Sequence, residues 1–526
     1  MRKADAVILT LLVIAGVAIR FYLLRFHDVI SADGTAYVGA ARALGRGNVG
    51  PLSTYGLYPA LIWLFSLPGF DPEATGRVMS VLFGGLLAVP VYLLGRELFS
   101  RSTALAACIA LLAWPSLLNW SCEVMTQATY TFFTLAGFYG VWKTVKSRSA
   151  GWGAAAGTLL GLAFLTRPEG LLLALAVPLP LLWGERRTVR TLMRPLAAYA
   201  AASAALFGMN MVLLHQATGS WELSAKTSSA LTDALSGYLQ IPDLNYIPGM
   251  KSAGYLDIIR DYPGFVWSNS RNNLVDLWHS FAPRLLWVLA LAGLCARRID
   301  TAIGGSRLFL LATFSPLLVI IVFYYIGPEY TQPYIPVFLL LAAEGAVRLE
   351  RIAAEKLKAL PDRIRKPWSA HTPATLAASA VLAVTLLIGQ IPAGTAGAYR
   401  PSDDDGRRDQ KNIGLLLKQY LPPGKIMTRW ARIAYYADRD WVSIPQADFD
   451  TIIRTAHKNG ARYLIVDGGL PDIRPDLAIL ASGLDPEGPT HSLRIFDNGM
   501  ANDAEFRLYL SYLSPSSMGV KVFELR

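Results

Sequence analysis

Ala6-Val7-Ile8-Leu9-Thr10-Leu11-Leu12-Val13-Ile14-Ala15-Gly16-Val17-Ala18-Ile19-Arg20-Phe21-Tyr22-Leu23-Leu24 is a run of 19 residues with one charge, preceded by Met1-Arg2-Lys3. As a helix rising 1.5 Å per residue it would reach ~28 Å, about the thickness of bilayer hydrocarbon. It is long for a signal peptide and no small-x-small cleavage site follows, so it reads as a retained first span. Apolar blocks of 15 to 20 residues recur along the chain, separated by short charged stretches. The 526 residues are 53% hydrophobic and 17% charged, against about 25% charged in soluble domains. Mean hydropathy is +0.36. The fold class this predicts is a polytopic α-helical membrane protein.

The net charge of +11 raises the question of a nucleic-acid surface, but the basic residues sit between apolar blocks, where they act as topology determinants. Nucleic acid is therefore not an expected partner. With Arg2 and Lys3 inside, the first span leads to an outer segment from Arg25 to Arg77. Val78 to Leu94 returns to Arg96 and Arg101. Ala104 to Leu118 goes out, and Met125 to Trp142 comes back to Lys143, Lys146 and Arg148. Gly151 to Trp183 is broken at Arg167-Pro168-Glu169 and reads as two short helices joined outside, since Pro disfavours helix in its predecessor. Leu196 to Leu214 leads to a second outer segment, residues 215–283. Leu285 to Ala296, Leu308 to Tyr325, Tyr334 to Val347 and Ala374 to Ile391 complete about eleven crossings. The N-terminus is expected in the cytoplasm, and the membrane domain covers residues 1–397.

Residues 398–526 have the composition of a water-soluble domain. Lys425 to Trp430, Arg462 to Val466 and Lys521 to Leu525 read as strands and Phe449 to Lys458 as a helix, giving a small extracytoplasmic α/β domain. Asp403-Asp404-Asp405 lacks the ligand alternation of a calcium loop. Cys108, Cys122 and Cys295 have neither disulfide nor metal-ligand spacing. Gly45, Gly47 and Gly50 satisfy G-x-G-x-x-G, but they open no βαβ unit and do not predict a dinucleotide site.

Ionisable residues at membrane depth are costly, so each needs a partner or a function. On the outer side these are Asp33, Glu123, Arg167, Glu169, Lys226 and Glu329. Asp33 precedes Tyr37, Ala40, Ala41 and Leu44 at helical spacing, which puts it near the start of an interfacial helix, where negative charge is favoured. Spacing alone leaves two roles open, an N-cap or a catalytic carboxylate. Glu123 is either the cap of a helix from Met125 or a functional acid. Arg167 and Glu169 either pair across the Pro turn or act separately. Arg20 reads as a snorkelling anchor. The aromatics Tyr238, Tyr246, Tyr255, Tyr262 and Trp267 fit an interfacial belt or sugar-stacking faces.

The residues Asp33-Gly34-Thr35-Ala36-Tyr37, Leu57-Tyr58-Pro59, Gly76-Arg77-Val78-Met79-Ser80 and Pro90-Val91-Tyr92-Leu93-Leu94-Gly95 resemble the start of the GT-C membrane glycosyltransferases. Glu123 with Thr126 and Leu165-Thr166-Arg167-Pro168-Glu169-Gly170 extend the resemblance. More narrowly, the chain is similar to the dolichyl-phosphate-mannose protein mannosyltransferase superfamily, which includes the aminoarabinose transferases that modify lipid A. The resemblance implies a plasma (inner) membrane enzyme that moves a sugar from a polyprenyl-phosphate donor to a protein or lipid/glycan acceptor on the extracytoplasmic face. It implies Asp33 as the catalytic carboxylate and Glu123 as a second acid. Arg167, Arg77, Lys226, Tyr37, Tyr58, Glu169, Glu329 and Tyr330 are the implied donor-phosphate and substrate-binding candidates. If a divalent metal ion takes part, Asp33 and Glu123 are its candidate ligands. Two departures from the pattern are Gly34, where many relatives carry a second acid, and Tyr330-Thr331-Gln332-Pro333, which lacks an Arg-Tyr pair.

The chemistry fits the inventory. Transfer from a sugar phosphodiester needs a base for the acceptor hydroxyl and positive charge opposite the departing phosphate. Inversion at the anomeric carbon, of a hexosyl or pentosyl group, is the expected course. The alternative reading is a transporter or flippase of lipid-linked saccharides, which would call for polar residues at mid-bilayer and inverted repeats.

Overall fold

The computed structural model describes residues 3–178, 186–224, 235, 238–239, 255–295, 305–358, 407–445, 447–467, 493–495 and 520–525. The chain divides into two compact units. One comprises Met1–His27, Tyr37–Tyr238 and Lys251–Pro401, and the other Asp28–Ala36, Leu239–Met250 and Ser402–Arg526.

The first unit is helical. Lys3–Leu23 forms its first helix, with Asp5 in the first turn and Arg20 in the last, the charge order that suits the helix dipole. The buried Asp5 carboxylate pairs with Arg101 at 2.6 Å and Arg96 at 3.6 Å. Glu97 pairs with Lys143 at 3.5 Å and Lys146 at 2.5 Å. The basic clusters expected on one side of the membrane are thus gathered at one end of this unit, together with the start of the first helix.

Pro72–Leu86 starts on Asp71, whose side chain accepts from the Ala74 N–H, with Pro at the first helical position where its missing N–H costs nothing. It continues through Ala88–Leu98 as one apolar stretch. Arg101–Leu111 is capped by Ser100, and the chain turns before Pro115–Trp120. The expected crossing Ala104 to Leu118 is therefore two pieces, broken where Pro115 enters. Gln127–Ser147 begins two residues after Met125. Ala150–Thr166 ends at Arg167, which takes the extended backbone that a following Pro favours, and Gly170–Ala176 resumes the helix. Arg186–Thr218 packs along Ala150–Thr166 through small residues. A Cβ on Gly157 would sit 2.3 Å from the Tyr199 carbonyl oxygen, so only glycine permits this approach.

Among the described residues, Lys3–Phe26, Pro72–Leu98 and Thr191–Thr218 are long and apolar enough to cross a membrane. The pair Pro263–Ser280 and Arg284–Leu294, bent by 99°, adds a fourth if it counts as one span. Leu57–Ser66, Arg101–Leu111, Ala150–Thr166 and Phe309–Phe323 are apolar but shorter. The expected crossing at Ala374–Ile391 lies outside the described residues. Three or four of the expected eleven spans are thus established by length and composition. Asn273, buried, donates its amide to the carbonyls of Ile321 and Tyr324, closing the end of the helix Gly305–Phe323.

In the second unit, β1 (Lys425–Thr428), β2 (Trp441–Val442), β3 (Ala461–Asp467), β4 (Leu493–Ile495) and β5 (Val520–Leu525) form one sheet in the order β2-β1-β3-β5-β4. β1 is parallel to β2 and β3, whereas β5 is antiparallel to β3 and β4. Alternation along the strands supplies both faces. Ile426, Tyr463, Ile465 and Val522 pack with Ile413, Leu417 and Ile433 from the helices Arg407–Tyr420 and Ala431–Tyr436. Met427, Leu464, Val466 and Phe523 pack with Ile452, Ile453 and Ala456 of Phe449–Asn459. That last helix is capped by Asp448 and closed by Gly460 at φ +68°. The expected strands and helix are all present, and the Asp403–Asp405 run lies outside the described residues.

Candidate active site

Asp33 sits in the first turn of the helix Ala32–Gly45. The cap is Ser31, whose Oγ accepts from the Gly34 N–H at 3.0 Å. The capping role left open for Asp33 therefore falls to its neighbour, and the Asp33 carboxylate is exposed. No hydrogen bond or ion pair is recorded for it among the described residues. Farther along the helix, Tyr37, Ala40, Ala41 and Leu44 are buried, as their spacing predicts.

Glu123 has the opposite surroundings. Ser121 to Thr126 is a short buried passage joining Pro115–Trp120 to Gln127–Ser147, and every residue in it is buried. Ser80 Oγ donates to the Met125 carbonyl at 3.2 Å. Tyr58, fully buried, shares a 2.8 Å hydrogen bond with Ser80 and donates to the Gly76 carbonyl at 3.0 Å. Glu123 Oε1 lies 3.1 Å from His27 Nδ1. Arg77 donates to the carbonyls of His27 and Cys122 and pairs with Glu73 at 2.9 Å. Glu123 does not cap the next helix, whose N-cap Thr126 makes no side-chain cap bond. His27 is the member that sequence reasoning missed. Its only signal is an imidazole two residues beyond Arg25, at the end of the first span.

Arg20 corrects the snorkelling expectation. Its side chain is fully buried, donating from Nε to Ser121 Oγ at 2.6 Å and from Nη1 to the Gly16 carbonyl at 2.9 Å. The inward course depends on Gly84, where a Cβ would meet Arg20 Nε at 2.6 Å. Protein surface replaces lipid on that side of the first helix, so the guanidinium has no need to reach for the interface.

Arg167 and Glu169 do pair across the Pro turn. Nη2 to Oε1 is 3.0 Å and Nε to Oε2 is 3.3 Å, a two-pronged contact. The guanidinium also stands over the Tyr330 ring at 5.5 Å. Burial alone would lower the Arg167 pKa, and the Glu169 carboxylate more than reverses that, so the group is raised and fully charged at neutral pH. Tyr37 and Tyr330 interact electrostatically with Arg167, and Tyr130, Tyr324 and Tyr334 with Glu169. The result is an ion pair beside the Tyr330 ring, on which a ligand phosphate can compete with Glu169 for the guanidinium. Tyr37 lies edge-on to Tyr55 and Tyr58 at 5.9 and 5.4 Å. Glu329 belongs to the short helix Pro328–Thr331, while Lys226 and Tyr246 lie outside the described residues. Tyr238 meets Phe265 edge-on and Tyr255 shares a hydrogen bond with Tyr324, so these aromatics pack within the helical unit. No three His, Cys, Asp or Glu side chains gather as a cation site among the described residues.

The structure is similar to that of ArnT from Cupriavidus metallidurans bound to undecaprenyl phosphate, at 15% identity over 98% of this chain and 97% of that one, with a TM-score of 0.54. It is also similar to the archaeal oligosaccharyltransferase AglB from Archaeoglobus fulgidus in complex with an inhibitory peptide and a dolichol-phosphate. There the identity is 11% over 99% of this chain and 88% of that one, with a TM-score of 0.58. At such identities the likeness is one of fold, and the fold is that of the GT-C membrane glycosyltransferases. Within that class, the family model that matches is dolichyl-phosphate-mannose-protein mannosyltransferase, over residues 57–214. No curated protein matches the chain in sequence.

Proposed function

We propose that the protein transfers a hexosyl or pentosyl group from a polyprenyl-phosphate donor to a protein or lipid/glycan acceptor at the extracytoplasmic face of the plasma (inner) membrane. In this reading the N-terminus is cytoplasmic and the C-terminal domain extracytoplasmic. The observation that carries the reading is the fold shared with ArnT along nearly the whole of both chains, in a structure that holds undecaprenyl phosphate. The AglB structure, with dolichol-phosphate and a peptide, supports the same donor chemistry and a macromolecular acceptor.

The residues supply a simple mechanism. Asp33, exposed and uncapped, takes the proton of the acceptor hydroxyl as its oxygen attacks the anomeric carbon. The bond from that carbon to the phosphate oxygen breaks, its electron pair leaves with the lipid phosphate, and the configuration inverts. Developing charge on the sugar is oxocarbenium-like. Arg167 exchanges Glu169 for the phosphate and neutralises the leaving group without a proton. Glu123, buried against His27, acts by holding the 121–126 passage.

The test uses purified protein in liposomes with a polyprenyl-phosphate-sugar fraction extracted from membranes, with the products followed by mass spectrometry. Release of polyprenyl phosphate with sugar gained by an acceptor is expected. Movement of intact donor across the bilayer with no change in mass would replace the transferase reading with the flippase alternative.

A further inference from the structure

Ile30, three residues before Asp33, is fully buried, and both of its backbone polar groups are engaged by side chains about 400 positions later in the chain. Its N–H donates to the Tyr436 hydroxyl at 2.9 Å, and its carbonyl accepts from Arg432 Nε at 2.8 Å. Both side chains come from the helix Ala431–Tyr436, which lies between β1 and β2. Arg432 is itself buried, and its Nη1 donates to Gln410 Oε1 at 2.9 Å, so the helix Arg407–Tyr420 fixes the direction of the guanidinium. Lys411 Nζ donates to the Asp28 carbonyl at 2.9 Å, and the Asp28 carboxylate is 3.6 Å from Arg408 Nε.

These bonds act on one short stretch of backbone. Tyr436 and Arg432 engage both backbone polar groups of Ile30, as a neighbouring strand would, although no described strand pairs with it. Ser31 follows at once and caps the helix, with Gly34 N–H on its Oγ at 3.0 Å and Thr35 N–H on its carbonyl at 3.2 Å. Asp33 stands inside that capped turn. From Arg432 and Tyr436 to Asp33 there is no freely rotating backbone, because each intervening residue is either held or part of the cap. Burying a guanidinium is costly, and a domain that needed only packing at this position would be served by an apolar side chain. What Arg432 supplies that an apolar side chain lacks is a directional donor to the Ile30 carbonyl.

We propose that Arg432 and Tyr436 are positioning residues for Asp33, and that the C-terminal α/β domain serves transfer by holding the segment that carries the base. This rests on the reading of Asp33 as base. A merely structural contact would affect only folding, whereas a positioning contact also sets kcat while leaving donor KM unchanged.

The experiment is hydrogen–deuterium exchange on the full-length protein in detergent, comparing wild type with Tyr436→Phe and Arg432→Ala. Tyr436→Phe removes one acceptor and keeps the ring, so it remains informative if Arg432→Ala fails to fold. The Ile30 amide is expected to exchange about tenfold faster, the loss of one hydrogen bond, while β1 and β3 keep their protection. With the extracted polyprenyl-phosphate-sugar fraction as probe, kcat should fall at least several-fold at constant KM, and Arg432→Lys should recover part of it. Unchanged exchange across residues 28–36 in the variants, or faster exchange with wild-type kcat, would overturn the proposal. If Asp33→Asn turns over like wild type while Tyr436→Phe still loosens the segment, the reading of Asp33 falls and the clamp on Ile30 stands by itself.

Discussion

The two acids singled out for chemistry, Asp33 and Glu123, live in opposite surroundings. Asp33 is exposed in the first turn of a helix capped by another residue. Glu123 is buried and bonded to His27, in a passage tied down by Arg77 and Ser80. A base must reach its substrate and change protonation in the cycle, which suits the first acid. A carboxylate committed to a buried partner costs free energy to disturb, which suits the second to holding a backbone in place.

The contrast is sharpest in activity. Asp33→Asn should lower kcat by about 10²–10⁴-fold, the usual worth of a general base, with an unchanged thermal unfolding midpoint; a wild-type rate would move the base elsewhere. Next in size is Arg167→Ala, which removes a charge-assisted contact of about 1.5–3 kcal/mol. It should lower kcat/KM for the donor by roughly 10- to 100-fold, measured as release of polyprenyl phosphate against donor concentration. Glu123→Ala should act in the other currency, costing about 1–3 kcal/mol of stability by stranding buried His27, read from the unfolding midpoint in detergent. The smallest effect expected is from Ser31→Ala, about 1 kcal/mol for a lost N-cap. It should be visible as faster amide exchange at Gly34 and Thr35, with β3 unaffected.

Much of this architecture was legible in the residues. The strands at Lys425–Thr428, Ala461–Asp467 and Val520–Leu525 follow from short runs holding β-branched or aromatic residues. The break at Arg167-Pro168-Glu169 follows from what Pro does to its predecessor. The burial of Tyr37, Ala40, Ala41 and Leu44 follows from helical period. Other features depend on residues far apart in sequence. Arg20 points inward because Gly84 and Ser121 make room for it and bind it. His27 becomes part of a site only when Glu123, 96 residues later, is folded against it. Ser31 outcompetes Asp33 as cap although both are good capping residues, and local spacing alone does not separate them. The grip of Arg432 and Tyr436 on Ile30 leaves no mark in the Ile30 segment, because there the donor and acceptor are backbone groups.

On the proposed mechanism the exposed acid is expected to do the chemistry and the buried one is not. The direct measurement is the turnover per folded molecule of Asp33→Asn and Glu123→Gln, assayed side by side on the same polyprenyl-phosphate-sugar fraction, with the folded fraction taken from size-exclusion chromatography. Asp33→Asn is expected to be nearly inactive, while Glu123→Gln, which keeps an oxygen for His27, is expected to stay within a few-fold of wild type. An active Asp33→Asn beside an inactive, well-folded Glu123→Gln would contradict that mechanism.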